Sequence, residues 1–126
     1  EKALAAAEQK EANRLTEAER KAAVKRAAQM LAEKTAHFAK EMGVTYGRIT
    51  IREQKTRWGS CSSAGNLNYN WKLVLMPERV MDYVVIHELA HQKEMNHSAR
   101  FYAVVAQQIP DYKVWQSWLK EHGREY

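Results

Sequence analysis

Residues 1–42 contain neither glycine nor proline and are dominated by Ala, Glu, Lys and Arg. A stretch that long, made of strong helix formers with no breaker, commits much of the chain to helix and excludes an all-β fold. Thr16 followed by Glu19 has the spacing of a capping box, so a helix is expected to begin near residue 17. Val24, Ala28, Leu31, Phe38 and Met42 recur at helical spacing and predict its apolar stripe, and Gly43 is a good stop. Residues 1–15 read as an Ala-rich helical extension or arm, and residues 16–126 as the domain proper.

The pattern changes after Gly43. Ile49 and Ile51 alternate with Arg48, Thr50 and Arg52, the period of a half-buried strand. Residues 59–66 are turn chemistry, and Leu67, Tyr69, Trp71 and Leu73 alternate with polar neighbours in a second strand. A hairpin or small antiparallel sheet is expected. Pro77 opens a third segment whose apolar residues support a helix over about 77–95, with Asn96 as a left-handed terminator. Ser98 caps a helix carrying Phe101, Val104, Val105 and Ile109, which stops at Pro110, and a last amphipathic stretch holds Val114, Trp115, Trp118 and Leu119. The fold class is therefore α+β: a long helix, a small sheet, then three helices.

Composition narrows the possibilities further. With 126 residues, 45% hydrophobic and 28% charged, the chain suits one globular domain rather than a disordered segment. No apolar run approaches the ~20 residues of a membrane helix. Cys61 is the single cysteine, which excludes an internal disulfide framework or a multi-cysteine zinc site. A cytoplasmic setting is expected. The net charge of +5 is uneven: residues 44–75 carry Arg48, Arg52, Lys55, Arg57 and Lys72 against Glu53 alone. Such a stretch suits a solvated strand surface or an anionic partner, and residues 48–57 are the expected site of any nucleic-acid association.

His87-Glu88-Leu89-Ala90-His91 reads H-E-x-x-H inside the third predicted helix. The i, i+4 spacing stacks the two imidazoles on one face, where they can share a metal at ~2.0–2.1 Å from each nitrogen. Glu88 points about 100° around the helix from His87, beside the pair rather than in line with it, as a general base requires. A third ligand is needed. His97 follows just past the expected helix end, and Glu94 lies on the histidines' own face. Three ligands in a row on a straight helix cannot surround a metal tetrahedrally, which favours His97. Three protein ligands leave one position open, the arrangement of a catalytic zinc site, here one Zn2+ per chain. His37 and His122 read as a helix-surface residue and a helix C-terminal contributor.

The run from Arg57 to Ser62, residues 68–73, residues 82–91, and Asn96-His97-Ser98 with Phe101 together resemble the YgjP-like metallopeptidase domain, a family of predicted metal-dependent hydrolases. The segment from Pro110 to Gly123 is similar too. The resemblance implies a minimal zincin-like fold related to SprT-like proteases, with His87, His91 and His97 as zinc ligands and Glu88 as catalytic base. Members usually carry a strand-rich segment before the long helix, where this chain has its Ala-rich residues.

Around that centre, Arg57, Asn70 and Tyr102 are the candidate substrate contacts. Arg57 offers a fork for a carboxylate or phosphate, or else pairs with Asp82 or Glu78. Residues 68–70 are a candidate edge strand for an extended peptide, and Tyr83 and Tyr102 candidate oxyanion donors. Trp58, Trp115 and Trp118 read as core and Cys61 as a small buried residue. The expected function is a zinc metallopeptidase acting on a peptide or protein. The rivals are a zinc-dependent phosphoanhydride (nucleoside triphosphate) hydrolase with a small anionic substrate, and a zinc-stabilised nucleic-acid-binding module.

Overall fold

The computed structural model describes residues 15–54 and 57–126. The Ala-rich arm at residues 1–14 and Lys55 of the basic stretch lie outside the described residues. The first helix, α1, spans Glu17–Met42. Its capping box is complete: Thr16 Oγ1 accepts from the Glu19 N–H at 3.1 Å, and Glu19 Oε1 accepts from the Thr16 N–H at 3.3 Å. It ends at Gly43, whose φ of 69° is the left-handed conformation glycine adopts without strain.

The buried face of α1 is Ala23, Ala27, Leu31, Thr35, Ala39 and Met42. This is the expected stripe rotated by about one residue, so Val24, Ala28 and Phe38 are only half-buried. Small residues win the inner positions because they let the helix lie close to its neighbours. Thr35 joins the core because its hydroxyl meets the Tyr69 hydroxyl at 3.0 Å.

Three strands follow: β1 Ile49–Arg52, β2 Gly59–Cys61 and β3 Leu67–Asn70, in sheet order β1-β3-β2. The sheet is mixed. β3 pairs antiparallel with β2 through a turn at 62–66, and parallel with β1. The expected all-antiparallel sheet is corrected in this respect: the segments at 49 and 67 are neighbours but run the same way, because β2, antiparallel to β3, comes between them in the chain. β3 is the central strand, so residues 68–70 are not the edge expected for peptide pairing.

The second strand also stops earlier than its alternation predicts. Asn70 Oδ1 accepts from the Lys72 N–H at 3.0 Å and turns the chain into a 3-10 helix over Trp71–Leu75. Trp71 and Leu73 remain buried, so the alternating pattern reported burial correctly and geometry incorrectly.

Helix α2 spans Glu78–Ala90 and is buried on nearly every side, from Val80 through Ala90. It ends before residue 95: His91 is its C-cap, and residues 91–95 turn. No described non-glycine residue has a positive φ, so Asn96 is not a left-handed terminator. Helix α3 (Ala99–Gln108) starts as expected, Ser98 Oγ accepting from the Phe101 N–H at 3.3 Å. Helix α4 spans Tyr112–His122, with Trp115 and Trp118 half-buried and Val114 exposed. His37 is exposed beside Glu41, while His122 is buried. No helix among the described residues is long and apolar enough to cross a membrane.

Candidate active site

α2 is the spine of the site. Its last turn carries His87 and Glu88, its C-cap is His91, and the turn that follows returns His97 across them. These side chains share a cavity of about 380 Å³ with Arg57, Gly59, Ser60 and Cys61 from the β2 side. One candidate ligand nitrogen from each of His87, His91 and His97 can be chosen so that all three lie within 4.8 Å of one another.

The individual contacts sharpen this. His91 Nδ1 lies 3.2 Å from the Glu94 carbonyl oxygen, which can only accept, so Nδ1 carries the hydrogen and the Nε2 lone pair is free. Nε2 of His91 then faces Nε2 of His97 at 3.2 Å. Two nitrogens ~2.05 Å from one tetrahedral metal stand about 3.3 Å apart, so this pair has the spacing of ligands to a single ion. Desolvation, and then the neighbouring His87 and His91, lower the pKa of His97 from its ordinary 6.5, favouring the neutral form that binds metals. Glu94 is outside the cluster, and its carbonyl oxygen orients His91 instead.

The histidines are braced from behind by Phe101, which is fully buried. Its ring centroid is 4.9 Å from His87, 4.6 Å from His91 and 4.9 Å from His97. Sequence reasoning assigned Phe101 to a helix face and missed this role. The available signal was its place three residues after the Ser98 cap, which turns it under the preceding histidine. Tyr102 is half-buried beside His97 at 6.4 Å and stacks on Tyr112 at 5.6 Å. The His97–Tyr102 pair has the N′ to N4 spacing of a hydrophobic staple and fixes the entry of the chain into α3.

Glu88 is 6% exposed. Its Oε2 lies 3.2 Å from His87 Nδ1, and its Oε1 lies 4.0 Å from His91 Nε2. It therefore flanks the histidines, as its place on the helix predicts. The residue that permits this is Gly59, also missed from the sequence. A Cβ on Gly59 would lie 3.1 Å from Glu88 Cγ, 3.1 Å from Val84 Cγ1 and 3.2 Å from Glu88 Oε2. Only a bare backbone lets β2 lie this close to the carboxylate.

Of the expected substrate contacts, Arg57 lines the cavity and Tyr102 stands beside His97. Asn70 does not face the cavity: it is 2% exposed, and its Nδ2 donates to the carbonyls of Gln54 at 2.9 Å and Arg57 at 3.4 Å. Its amide is consumed by the chain itself. Arg57 does not pair with Asp82 or Glu78, which are taken by Lys34 at 2.7 and 2.8 Å. Arg48, just before β1, and Arg52, its last residue, are exposed.

Tyr83 is 5% exposed, its ring edge-on to His87 at 5.7 Å. Burial pushes its hydroxyl to about 12. Burial, and then the Glu88 charge, raise the Cys61 thiol, so it stays protonated rather than becoming a thiolate ligand. Cys61 accepts from Gln92 Nε2 at 3.4 Å on the cavity wall.

An α+β fold that gathers three imidazoles and a carboxylate beneath one strand edge defines a metal-dependent hydrolase. The family model described as the YgjP-like metallopeptidase domain matches residues 1–122, and the chain belongs to that family. It is a metallopeptidase, and its histidine cluster suits a metal cofactor.

Two solved structures share the fold. One is the metallopeptidase zymogen of Pyrococcus abyssi abylysin, at 24% identity and TM-score 0.66, covering 75% of this chain and 96% of that one. The other is the metallopeptidase zymogen of Methanocaldococcus jannaschii jannalysin, at 22% identity and TM-score 0.55, covering 61% and 79%. Comparison with curated proteins gives no match.

Proposed function

We propose that the chain is a zinc metallopeptidase in which His87, His91 and His97 hold one zinc ion and Glu88 is the general base. The observation that carries this reading is the pair of facing Nε2 atoms at 3.2 Å with a buried carboxylate against them in the same cavity. Zinc, when bound, supplies a Lewis acid that polarises a peptide carbonyl and acidifies water. Glu88 Oε1 takes the proton of the attacking water, and the same carboxyl returns it to the leaving amine. His87 Nδ1 beside Oε2 steadies the other carboxylate oxygen.

The edge of β2 away from β3 borders the cavity at Gly59, Ser60 and Cys61, and an extended peptide pairs there by strand addition. Peptide is favoured over a phosphoanhydride because, among the described residues, Arg57 is the one lysine or arginine lining the cavity, whereas a triphosphate needs several converging cations. A purely structural zinc would leave Glu88 without a task.

Glu88→Gln tests the assignment. Zinc content by mass spectrometry and the melting temperature stay near wild type, while kcat on an unstructured protein falls ~10²-fold or more. Loss of zinc would make Glu88 a ligand; full activity would move the chemistry elsewhere.

A further inference from the structure

Arg57 is an exposed residue that lines the cavity, and its guanidinium makes no ion pair among the described residues. The partners expected for it, Asp82 and Glu78, are engaged by Lys34, and Asp82 also by Arg79 at 3.3 Å. The backbone beneath Arg57 is held in place. Asn70 Nδ2 donates to the Arg57 carbonyl at 3.4 Å, and the Asn70 N–H donates to the Trp58 carbonyl at 2.9 Å. Trp58 in turn packs on Gly123, where a Cβ would lie only 3.0 Å from its Nε1. One buried asparagine thus ties down both residues that lead into β2. The result is a cationic residue whose backbone is anchored just before the strand that borders the Glu88 carboxylate.

A guanidinium fork is built to receive a carboxylate through two parallel hydrogen bonds. A peptide extended along β2 passes Arg57 where the strand begins, two residues before Gly59. We infer that Arg57 is a specificity-determining residue that selects peptides presenting a carboxylate beside the scissile bond. This inference rests on the peptidase reading and adds the substrate class. The carboxylate has two sources in a peptide, the side chain of Asp or Glu and the free C-terminus, and the two share this chemistry.

The test uses fluorescent peptides in matched pairs: acidic side chain against its amide, and free C-terminus against its carboxamide. Binding is measured on the Glu88→Gln protein, and kcat/KM on the protein with Glu88 intact, each with Arg57, Arg57→Gln and Arg57→Lys. The carboxylate form of one pair is preferred by about 10- to 100-fold in both measurements, the scale of a charge-assisted hydrogen bond. Arg57→Gln brings that pair together, and Arg57→Lys, which keeps the charge but not the fork, retains part of the difference. The pair that responds identifies the source. Peptides cleaved with no carboxylate preference, or with a preference unchanged in Arg57→Gln, overturn the assignment of Arg57 and leave the peptidase reading standing. Failure to bind or cleave any peptide, with hydrolysis of a nucleoside triphosphate instead, overturns both.

Discussion

The approach of β2 to Glu88 makes Gly59→Ala a sharp perturbation, because the substitution adds one methyl group beside the proposed base. Ordinary contact between carbon atoms is ~3.5–4.0 Å. A Cβ at 3.1 Å from both Glu88 Cγ and Val84 Cγ1 therefore intrudes by about half an ångström. Val84 is 4% exposed within the packed α2 and has little room to yield. The strand and the Glu88 carboxylate must separate instead.

Two effects on stability oppose one another. Replacing glycine by alanine stiffens the unfolded chain and gains ~0.4–1 kcal/mol. Overpacking costs ~1–3 kcal/mol. The second wins, and the net loss of ~0.5–2 kcal/mol lowers the melting temperature by about 2–8 °C. A misplacement of ~1 Å can reduce catalysis by about 10²-fold, so half that shift predicts a fall in kcat of about 10-fold. Zinc content stays unchanged, because the atoms a Cβ would crowd belong to Glu88 and Val84 rather than to a histidine. Calorimetry, metal analysis and kinetics on an unstructured protein check the three parts. A Gly59→Ala protein with unchanged kcat and an unchanged or higher melting temperature would refute the claim that this contact positions Glu88.

Further outcomes follow from other contacts. His97→Ala weakens zinc binding by orders of magnitude, whereas Glu94→Ala leaves the metal in place, because the Glu94 side chain is outside the histidine cluster and its backbone carbonyl survives; competition with a chelator reads both. Lys34→Met leaves Asp82, whose side chain is 9% exposed, with Arg79 alone and costs ~1–3 kcal/mol in chemical denaturation. Burial lowers the Lys34 pKa, but its bonds to Asp82 and Glu78 outweigh that effect and raise it above 10.5. The stability Lys34 contributes is therefore full below pH 10.5 and fades as pH rises through the higher folded value. The difference between Lys34→Met and wild type should shrink in that alkaline range, and again in acid, where Glu78, whose pKa the bond from Lys34 lowers, takes up its proton.

Much of this site was legible because its signals are local. The capping box at Thr16, the helix carrying His87 and Glu88, and the Ser98 cap each depend on residues within a few positions of one another, and all appear where expected. What escaped is non-local. The direction of β1 relative to β3 is decided by where the intervening β2 pairs, which no periodicity encodes. Asn70 read as a substrate contact on an edge strand, but its amide is spent on backbone carbonyls 13 and 16 residues away. The bare backbone at Gly59 matters only because α2 lies against it. In α1, the alternatives Ala23 and Val24 differ by one helical step, and hydrophobicity alone chose the larger side chain where packing chose the smaller.

The three histidines proposed to hold the metal lie within eleven residues, His87 to His97, whereas Glu88 packs against a strand nearly thirty residues earlier. Holding a metal and using it therefore have different requirements for the rest of the fold. A segment this compact retains affinity for the ion after the sheet has come apart, since closing a short loop costs little entropy. Any such affinity in the denatured chain subtracts from the stabilisation that mass action would give the native one. Saturating zinc should accordingly raise the melting temperature by less than its native-state Kd alone implies, and a chain that has bound its metal is not thereby a folded one.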